Sequence, residues 1–385
     1  MQTDRIPEAG PHVQLSWSHC IPTLNRIDVL ERAVGLSLRQ TLPPTEIVIV
    51  DAGDSVADNH SRIQAVLAGS PRPATPLIYL ASPIRSSSAQ RNLAIDVAVG
   101  DVLFLFDDDT LMFPDCAETI LRAYASDPER RIAAAGAVHV AQMPMDVSLD
   151  ADRKDTRRNQ SEAAPDLREP SRREKWLRGI RHWIWTEVFL MNASRLFIQY
   201  DTPRLRGNEA AVAALGVARI SHQPLISGYA MTVRREVART ERFDPILLSY
   251  SPGEDMDATY RFSRHGLNVA VEGALVHHFE AASGRIKRKQ ATTLGLMNVA
   301  SFVANKSSSP ARDIPAYYLM FVRRLFAEFC KDLLSRRFTF PQFAGTVLAL
   351  PRSIGIFRHR NRADFDGWYK QQQLDILKPG HRADA

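Results

Sequence analysis

The sequence has little cysteine and none of the glycine-rich loops that usually hold nucleotide phosphates. Its three cysteines, Cys20, Cys116 and Cys330, lie far apart, and no CxxC pair occurs. That spacing argues against a zinc ribbon or a disulfide framework and suits three reduced thiols. No GxGxxG segment and no GKS or GKT loop is present, which excludes a dinucleotide fingerprint and a Walker-type phosphate loop. No charge-free apolar run reaches the ~18 residues needed to span a bilayer. Residues 1–12, MQTDRIPEAGPH, are polar and lack the apolar core of a secretory signal. They read as an N-terminal tail, and a cytoplasmic protein is expected. No internal repeat is visible.

The 385 residues are 45% hydrophobic, enough for a large core. The formal charge of +6 suits nucleotide phosphates, anionic lipid headgroups or nucleic acid. None of the usual RNA- or DNA-binding signatures occurs, so no nucleic-acid partner is expected.

Strand and helix patterns alternate from the start. Val13–Ile21 reads as a strand, Asp28–Gln40 as a helix stopped by Pro43-Pro44, and Ile47–Val50 as a strand buried on both faces. Ser61–Ala68 is helical, Leu77–Leu80 a strand, and Ser88–Val99 a helix closed by Gly100. Val102–Phe106 is another buried strand, and Cys116–Tyr124 a helix. This alternation implies an α/β fold, a mostly parallel sheet flanked by helices. A charged insertion occupies about 146–175, and Trp176, Trp183 and Trp185 follow it among Arg178, Arg181 and His182. These tryptophans suit either an acceptor groove or ordinary core. Order returns at Pro224–Arg234, followed by a helix over Asp255–Gly266 and a last strand over Val269–His277. A C-terminal helical extension occupies 286–385. Its clearest amphipathic helix, 314–335, sets Tyr317, Phe321, Leu325 and Phe329 on one side, and a second apolar stretch, Phe340–Leu350, ends at Pro351.

Three local patterns carry chemistry. Phe104-Leu105-Phe106 runs into Asp107-Asp108-Asp109. Adjacent carboxylates at the end of a buried strand repel one another and raise each other's pKa, a cost that a divalent cation removes. Gly253-Glu254-Asp255-Met256-Asp257 opens a helix and offers a general base. His277-His278 ends the last strand beside these acids, where an imidazole suits a metal. The two side chains should point to opposite faces, so only one should reach the site.

Together these segments resemble glycosyltransferase family 2, inverting enzymes with the GT-A fold. Pro22-Thr23-Leu24-Asn25-Arg26 is similar to the family's opening motif, with Leu24 where an aromatic is usual. Ile47–Asp51 is similar to the second strand and its base-contacting aspartate. Ala89-Gln90-Arg91-Asn92 resembles the Ala-Arg-Asn segment, and Gly100–Asp109 the metal-binding run. Ser227–Met231 resembles the segment that precedes the acceptor site, and Gly253–Asp257 the acceptor-site motif. The resemblance covers about 13–285, the expected catalytic domain, with a gap over 140–220.

It implies a sugar moved from a nucleotide-diphosphate donor, UDP-linked by preference, to an acceptor hydroxyl in polysaccharide or glycolipid synthesis. Asp107 and Asp109, with His277 or His278, would hold Mn²⁺ or Mg²⁺. Pro22, Thr23, Asn25, Arg26, Asp51, Arg91, Asn92, Asp107 and Asp108 would bind the donor. Asp255, with Glu254, would serve the acceptor hydroxyl. The competing readings are a sugar nucleotidyltransferase, which should show a glycine-rich loop where Pro22–Arg26 has none, and an inactive carbohydrate-binding scaffold, which would be expected to lose its acids. Basic runs at Arg285–Lys289 and Arg358–Arg362 flank the apolar helix. They suit an anionic membrane surface met through 286–362, a peripheral place on the inner face of the cell membrane, and a lipid-linked acceptor. The other reading of this helix is ordinary core.

Overall fold

Alternation of side chains along two apolar strands sets the layers. The computed structural model describes residues 15–144, 172–189, 191–192, 196–200, 207–250, 252–280 and 286–378. Strands β1 (Trp17–Thr23) and β2 (Glu46–Asp51) pair in parallel and are buried on both faces. Ile47 and Ile49 point to one side, where helices α1 (Ile27–Leu38) and α2 (Val56–Ala68) supply Leu30, Val34, Ile63 and Leu67. Val48 and Val50 point to the other, against Ala94 and Ile95 of helix α3 (Ser87–Val97). This two-residue period is the pleat itself.

The sheet is completed by β3 (Leu77–Ala81), β4 (Val102–Phe104), β5 (Thr110–Met112), β6 (Ile132–His139), β7 (Ile220–His222), β8 (Met231–Arg234) and β9 (Leu267–His278). Its order is β3-β2-β1-β4-β8-β6-β9-β5, with β7 also on β9. The parallel sheet expected from the alternation is the half β3-β2-β1-β4. Beyond it β8 is antiparallel to β4 and β6, so the sheet is mixed. The chain leaves β1 toward β2 and β3 and later returns to its other side as β4. Such a reversal opens a crevice at the carboxyl ends of β1 and β4, where open α/β sheets hold ligands.

Helices α4 (Cys116–Ala125), α5 (Arg172–Trp183), α6 (Glu209–Ala213), α7 (Arg235–Thr240) and α8 (Glu254–Phe262) precede four longer ones. These are α9 (Arg288–Lys306), α10 (Pro310–Leu334), α11 (Pro341–His359) and α12 (Phe365–Leu377). The apolar stretch expected to stop at Pro351 instead continues as helix to His359. Pro351 is exposed, so the turn before it can open toward solvent around the missing N–H. The expected N-terminal tail, most of the charged insertion and Arg285 lie outside the described residues.

The C-terminal helices share one core with residues before 285. Leu294, Met297, Phe302, Tyr317, Phe321 and Tyr369 pack with Phe197, Tyr200, Ile246, Leu247 and Tyr260. Polar ties reinforce this contact. Gln373 bonds the backbone of Ile246 and Leu248, and Asn298 donates to the Pro252 carbonyl. Lys306 lies 2.8 Å from both Asp244 and Asp257. The helix expected at 314–335 therefore has two apolar faces. Tyr317, Met320 and Phe321 are buried, whereas Leu319, Val322, Phe326, Phe329 and Leu333 are exposed. No helix among the described residues is long and apolar enough to cross a membrane.

Candidate active site at the carboxyl ends of β1 and β4

The three aspartates sit in the short link between β4 and β5, and each finds a different environment. Asp108 turns toward β1, where the Thr23 hydroxyl donates to it at 2.7 Å and Arg26 at 3.1 Å. Burial pushes its carboxyl up to about 7, against the pull of Arg26. Asp107 accepts from Arg91 at 2.5 Å. Burial also raises Asp107, with Arg91 opposing and the Asp109 charge adding to the rise.

Asp109 is placed by sheet pairing. The adjoining β5 runs antiparallel to β9, with Thr110 opposite His278, and Phe279 N–H donates to the Asp109 carbonyl at 2.9 Å. This brings His278 Nε2 within 3.1 Å of the Asp109 carboxylate. Burial lowers the His278 pKa, but the bond to Asp109 and the neighbouring acids outweigh it and leave the imidazole raised. Tyr229 stacks on the His278 ring, with centroids 4.4 Å apart and planes 6° apart. His277 points away, its Nδ1 2.9 Å from the Val140 carbonyl.

Asp107, Asp109 and His278 each offer one atom within 4.8 Å of the others. Two hard carboxylate oxygens and one imidazole fit a divalent cation such as Mn²⁺ or Mg²⁺. Asp108 and His277 stand outside that group.

Arg91 joins this cluster to the first turn of α8. Its buried guanidinium pairs with Glu254 on one side and Asp107 on the other. A Cβ on Gly228 would meet Arg91 Nη2 at 2.8 Å, so glycine there leaves the guanidinium its path. Gly253 opens α8 with φ +89°, a conformation that favours glycine. Burial pushes Glu254 up to about 8, against Arg91. Asp255 is only partly buried and accepts from Gly228 N–H at 3.0 Å and from Met256 N–H at 2.8 Å. Each of its oxygens keeps a further lone pair.

A cleft of about 280 Å³ opens between these groups. Of the residues named from sequence, Pro22, Thr23, Arg26, Arg91, Asp107, Asp108, Glu254, Asp255 and His278 line it. Asn25, Asp51, Asn92, Asp109 and His277 do not. The buried Asp51 carboxylate takes bonds from Gly53 N–H at 2.7 Å, Asn59 at 2.9 Å and the Tyr79 hydroxyl at 2.7 Å. It holds the turn after β2. Asn25, at φ +54°, bonds Asp54. Asn92 clamps the backbone of Phe243 through both amide atoms.

Sequence reasoning missed Gln90 and the stacking role of Tyr229. Buried Gln90 donates to the Thr23 and Val50 carbonyls at 2.8 and 2.7 Å, tying β1 to β2 at the cleft floor. A buried amide at the start of a helix was the available signal. The stacking of Tyr229 on His278 had none, because the two are remote in sequence.

Residues 18–160 match the family described as Glycosyl transferase family 2. A curated relative, the glucosyl-dolichyl phosphate glucuronosyltransferase of Haloferax volcanii, is 28% identical over 115 residues, 29% of this chain and 34% of that protein. The chain thus spans about a third of that relative's length. Among solved structures, the mannosyltransferase PcManGT from Pyrobaculum calidifontis, in complex with GDP-Man and Mn²⁺, is similar at 14% identity and a TM-score of 0.47. That match covers 96% of this chain and 88% of the other. GalNAc-T7 with UDP, GalNAc and Mn²⁺ is similar at 14% identity and a TM-score of 0.47, over 75% of this chain and 47% of the other. The matched family segment ends before Glu254, Asp255 and His278, which the fold brings to it. Over residues 18–160 the chain is similar to glycosyl transferase family 2.

Proposed function

We propose that this protein transfers a sugar, with inversion, from a nucleotide-diphosphate sugar to an acceptor hydroxyl. The observation that carries the reading is that Asp107, His278 and Asp255 line one cleft at the reversal of strand order, with Asp109 grouped behind Asp107 and His278. Asp107, Asp109 and His278 would hold Mn²⁺ or Mg²⁺, which when bound neutralises charge developing on the leaving diphosphate. Asp255 takes the proton of the acceptor hydroxyl at a carboxylate oxygen. The Gly228 and Met256 N–H groups fix the plane of that carboxylate. Arg91 pairs with both Asp107 and Glu254 and keeps these acids oriented. Thr23 and Arg26 fix Asp108 at the donor side of the cleft. Asp51 acts on the donor through the turn it holds.

The family resemblance favours a uridine donor. The relative in Haloferax volcanii carries dolichyl phosphate in its name, and that supports a lipid-linked acceptor and a role in glycolipid or polysaccharide synthesis. The exposed apolar residues of α10 support work at the cytoplasmic face of an anionic membrane. Full-length protein incubated with labelled UDP- and GDP-sugars, an acceptor panel and Mn²⁺ tests the reading. Sugar transfer that stops in excess EDTA is expected. Transfer that continues undiminished in EDTA would remove the metal from the account, and no transfer from any donor would remove the reaction.

A further inference from the structure

The segment after the charged insertion folds as a helix whose apolar side nothing in the described structure covers. Helix α5, Arg172–Trp183, continues as a wide helical turn over Ile184–Val188. Trp176, Leu177, Ile180, Trp183, Ile184 and Val188 are 36–63% exposed. They recur every three or four residues, so on a helix they form one stripe. The tryptophans thus form neither buried core nor part of the cleft lining. Arg178 and His182 fall on the opposite arc, Arg181 borders the stripe, and all three are exposed.

We propose that residues 172–188 are the element by which this protein inserts into an anionic lipid surface. The inference deepens the membrane reading above and rests on it. Charge complementarity selects the occupant. Residues 172–188 contain Arg172, Arg173, Lys175, Arg178 and Arg181 against Glu174 and Glu187. A helix of low mean hydropathy with a cationic face and a tryptophan-bearing apolar face lies in the plane of the headgroups, its rings at the boundary between headgroup and acyl chain.

The other uncovered stripe has the same chemistry. Leu319, Val322, Phe326, Phe329 and Leu333 of α10 are exposed. The carboxylates within 310–362, those of Asp313, Glu328 and Asp332, are all buried. The charge that this stretch presents to solvent is therefore basic throughout, including Arg323, Arg336 and Arg358. Two uncovered apolar stripes, each with basic surroundings, match an anionic bilayer better than a protein partner, whose interface core would be depleted of charge.

The test uses the full chain and vesicles of phosphatidylglycerol and phosphatidylcholine, with pure phosphatidylcholine as control. Vesicles carrying brominated acyl chains should quench the tryptophan emission, and Trp176→Phe/Trp183→Phe should remove most of that quenching while the protein still sediments with vesicles. Trp176→Ser/Ile180→Ser/Trp183→Ser should weaken binding to the anionic vesicles at least 10-fold and leave donor turnover in vesicle-free solution unchanged. Failure of the wild type to bind anionic vesicles at low salt would overturn the proposal. So would undiminished binding by the serine variant, or a self-associated protein that the serine variant makes monomeric. Loss of vesicle-free turnover by the wild type counts against the transferase reading alone, so the two failures are distinguishable.

Discussion

Replacing Asp257 by Asn should loosen the joint between α8 and the C-terminal helices by an amount the structure sets. Asp257 is fully buried. Its carboxylate accepts from Tyr200 at 2.7 Å, Arg261 at 2.8 Å and Lys306 at 2.8 Å. Burial alone would raise its pKa, but Lys306 and Arg261 overcome that and hold it at about 2, below the ordinary 3.8. A carboxyl depressed on folding stabilises the native state above its unfolded pKa, and the contribution fades as pH falls through the folded value. The difference converts to roughly 2 kcal/mol at pH 7, falling to about half of that at pH 3. The substitution leaves each cation one other acid, since Lys306 keeps Asp244 and Arg261 keeps Glu241. The loss should therefore stay near the linkage figure, short of the ~3–5 kcal/mol of a wholly orphaned buried charge. Urea unfolding followed by circular dichroism, wild type against Asp257→Asn at pH 7 and pH 3, measures this. A destabilisation of about 2–3 kcal/mol at pH 7 that shrinks by about half at pH 3 is expected. A pH-independent difference, or one below about 0.5 kcal/mol, would refute the reasoning.

Other substitutions probe the site itself. His278→Ala should abolish Mn²⁺-dependent donor binding by calorimetry, while His277→Ala, whose ring bonds the Val140 carbonyl, should leave it nearly intact; equal losses would place both rings in structural roles. Tyr229→Leu removes the ring stacked on His278 and should weaken metal affinity by about 10-fold or more, as loss of a ligand's supporting contact does; unchanged affinity would make the stacking incidental. Arg91→Lys cannot bridge Asp107 and Glu254 together and should cut turnover at least ~10-fold with the fold retained; full turnover would mean that the bridge does not orient the acids.

The parts legible in the sequence were those set by local pattern. Ile47–Val50 and Val102–Phe106 are apolar at every position, and the acids follow directly, so the strand end and its chemistry were visible together. Strand β6 escaped because Ile-Ala-Ala-Ala-Gly-Ala-Val has few β-branched residues; its strand character comes from pairing with β8 and β9. Helix α9 fell inside the expected helical extension, but nothing in the sequence marked its bounds. Its buried residues run nearly unbroken from Thr292 to Val303, so no amphipathic period marks it. At the site, the types of residue were legible but not their partners. Asp51 is held by Asn59 and Tyr79 as well as Gly53, and Arg91 is drawn between Asp107 and Glu254, through pairings that only the assembled sheet brings into range. The choice between His277 and His278 depended on the register of β9 against β5.

The central claim is that Asp255 accepts the acceptor's proton beside a metal held by Asp107, Asp109 and His278. Asp255→Asn keeps the side chain's shape and one carbonyl acceptor toward Gly228, but it cannot take that proton. Its rate of sugar transfer, measured with saturating donor, acceptor and Mn²⁺ alongside donor affinity by calorimetry, tests the claim most directly. The account predicts a transfer rate lower by roughly 10²–10⁴-fold with donor affinity nearly unchanged. Transfer at the wild-type rate would contradict it.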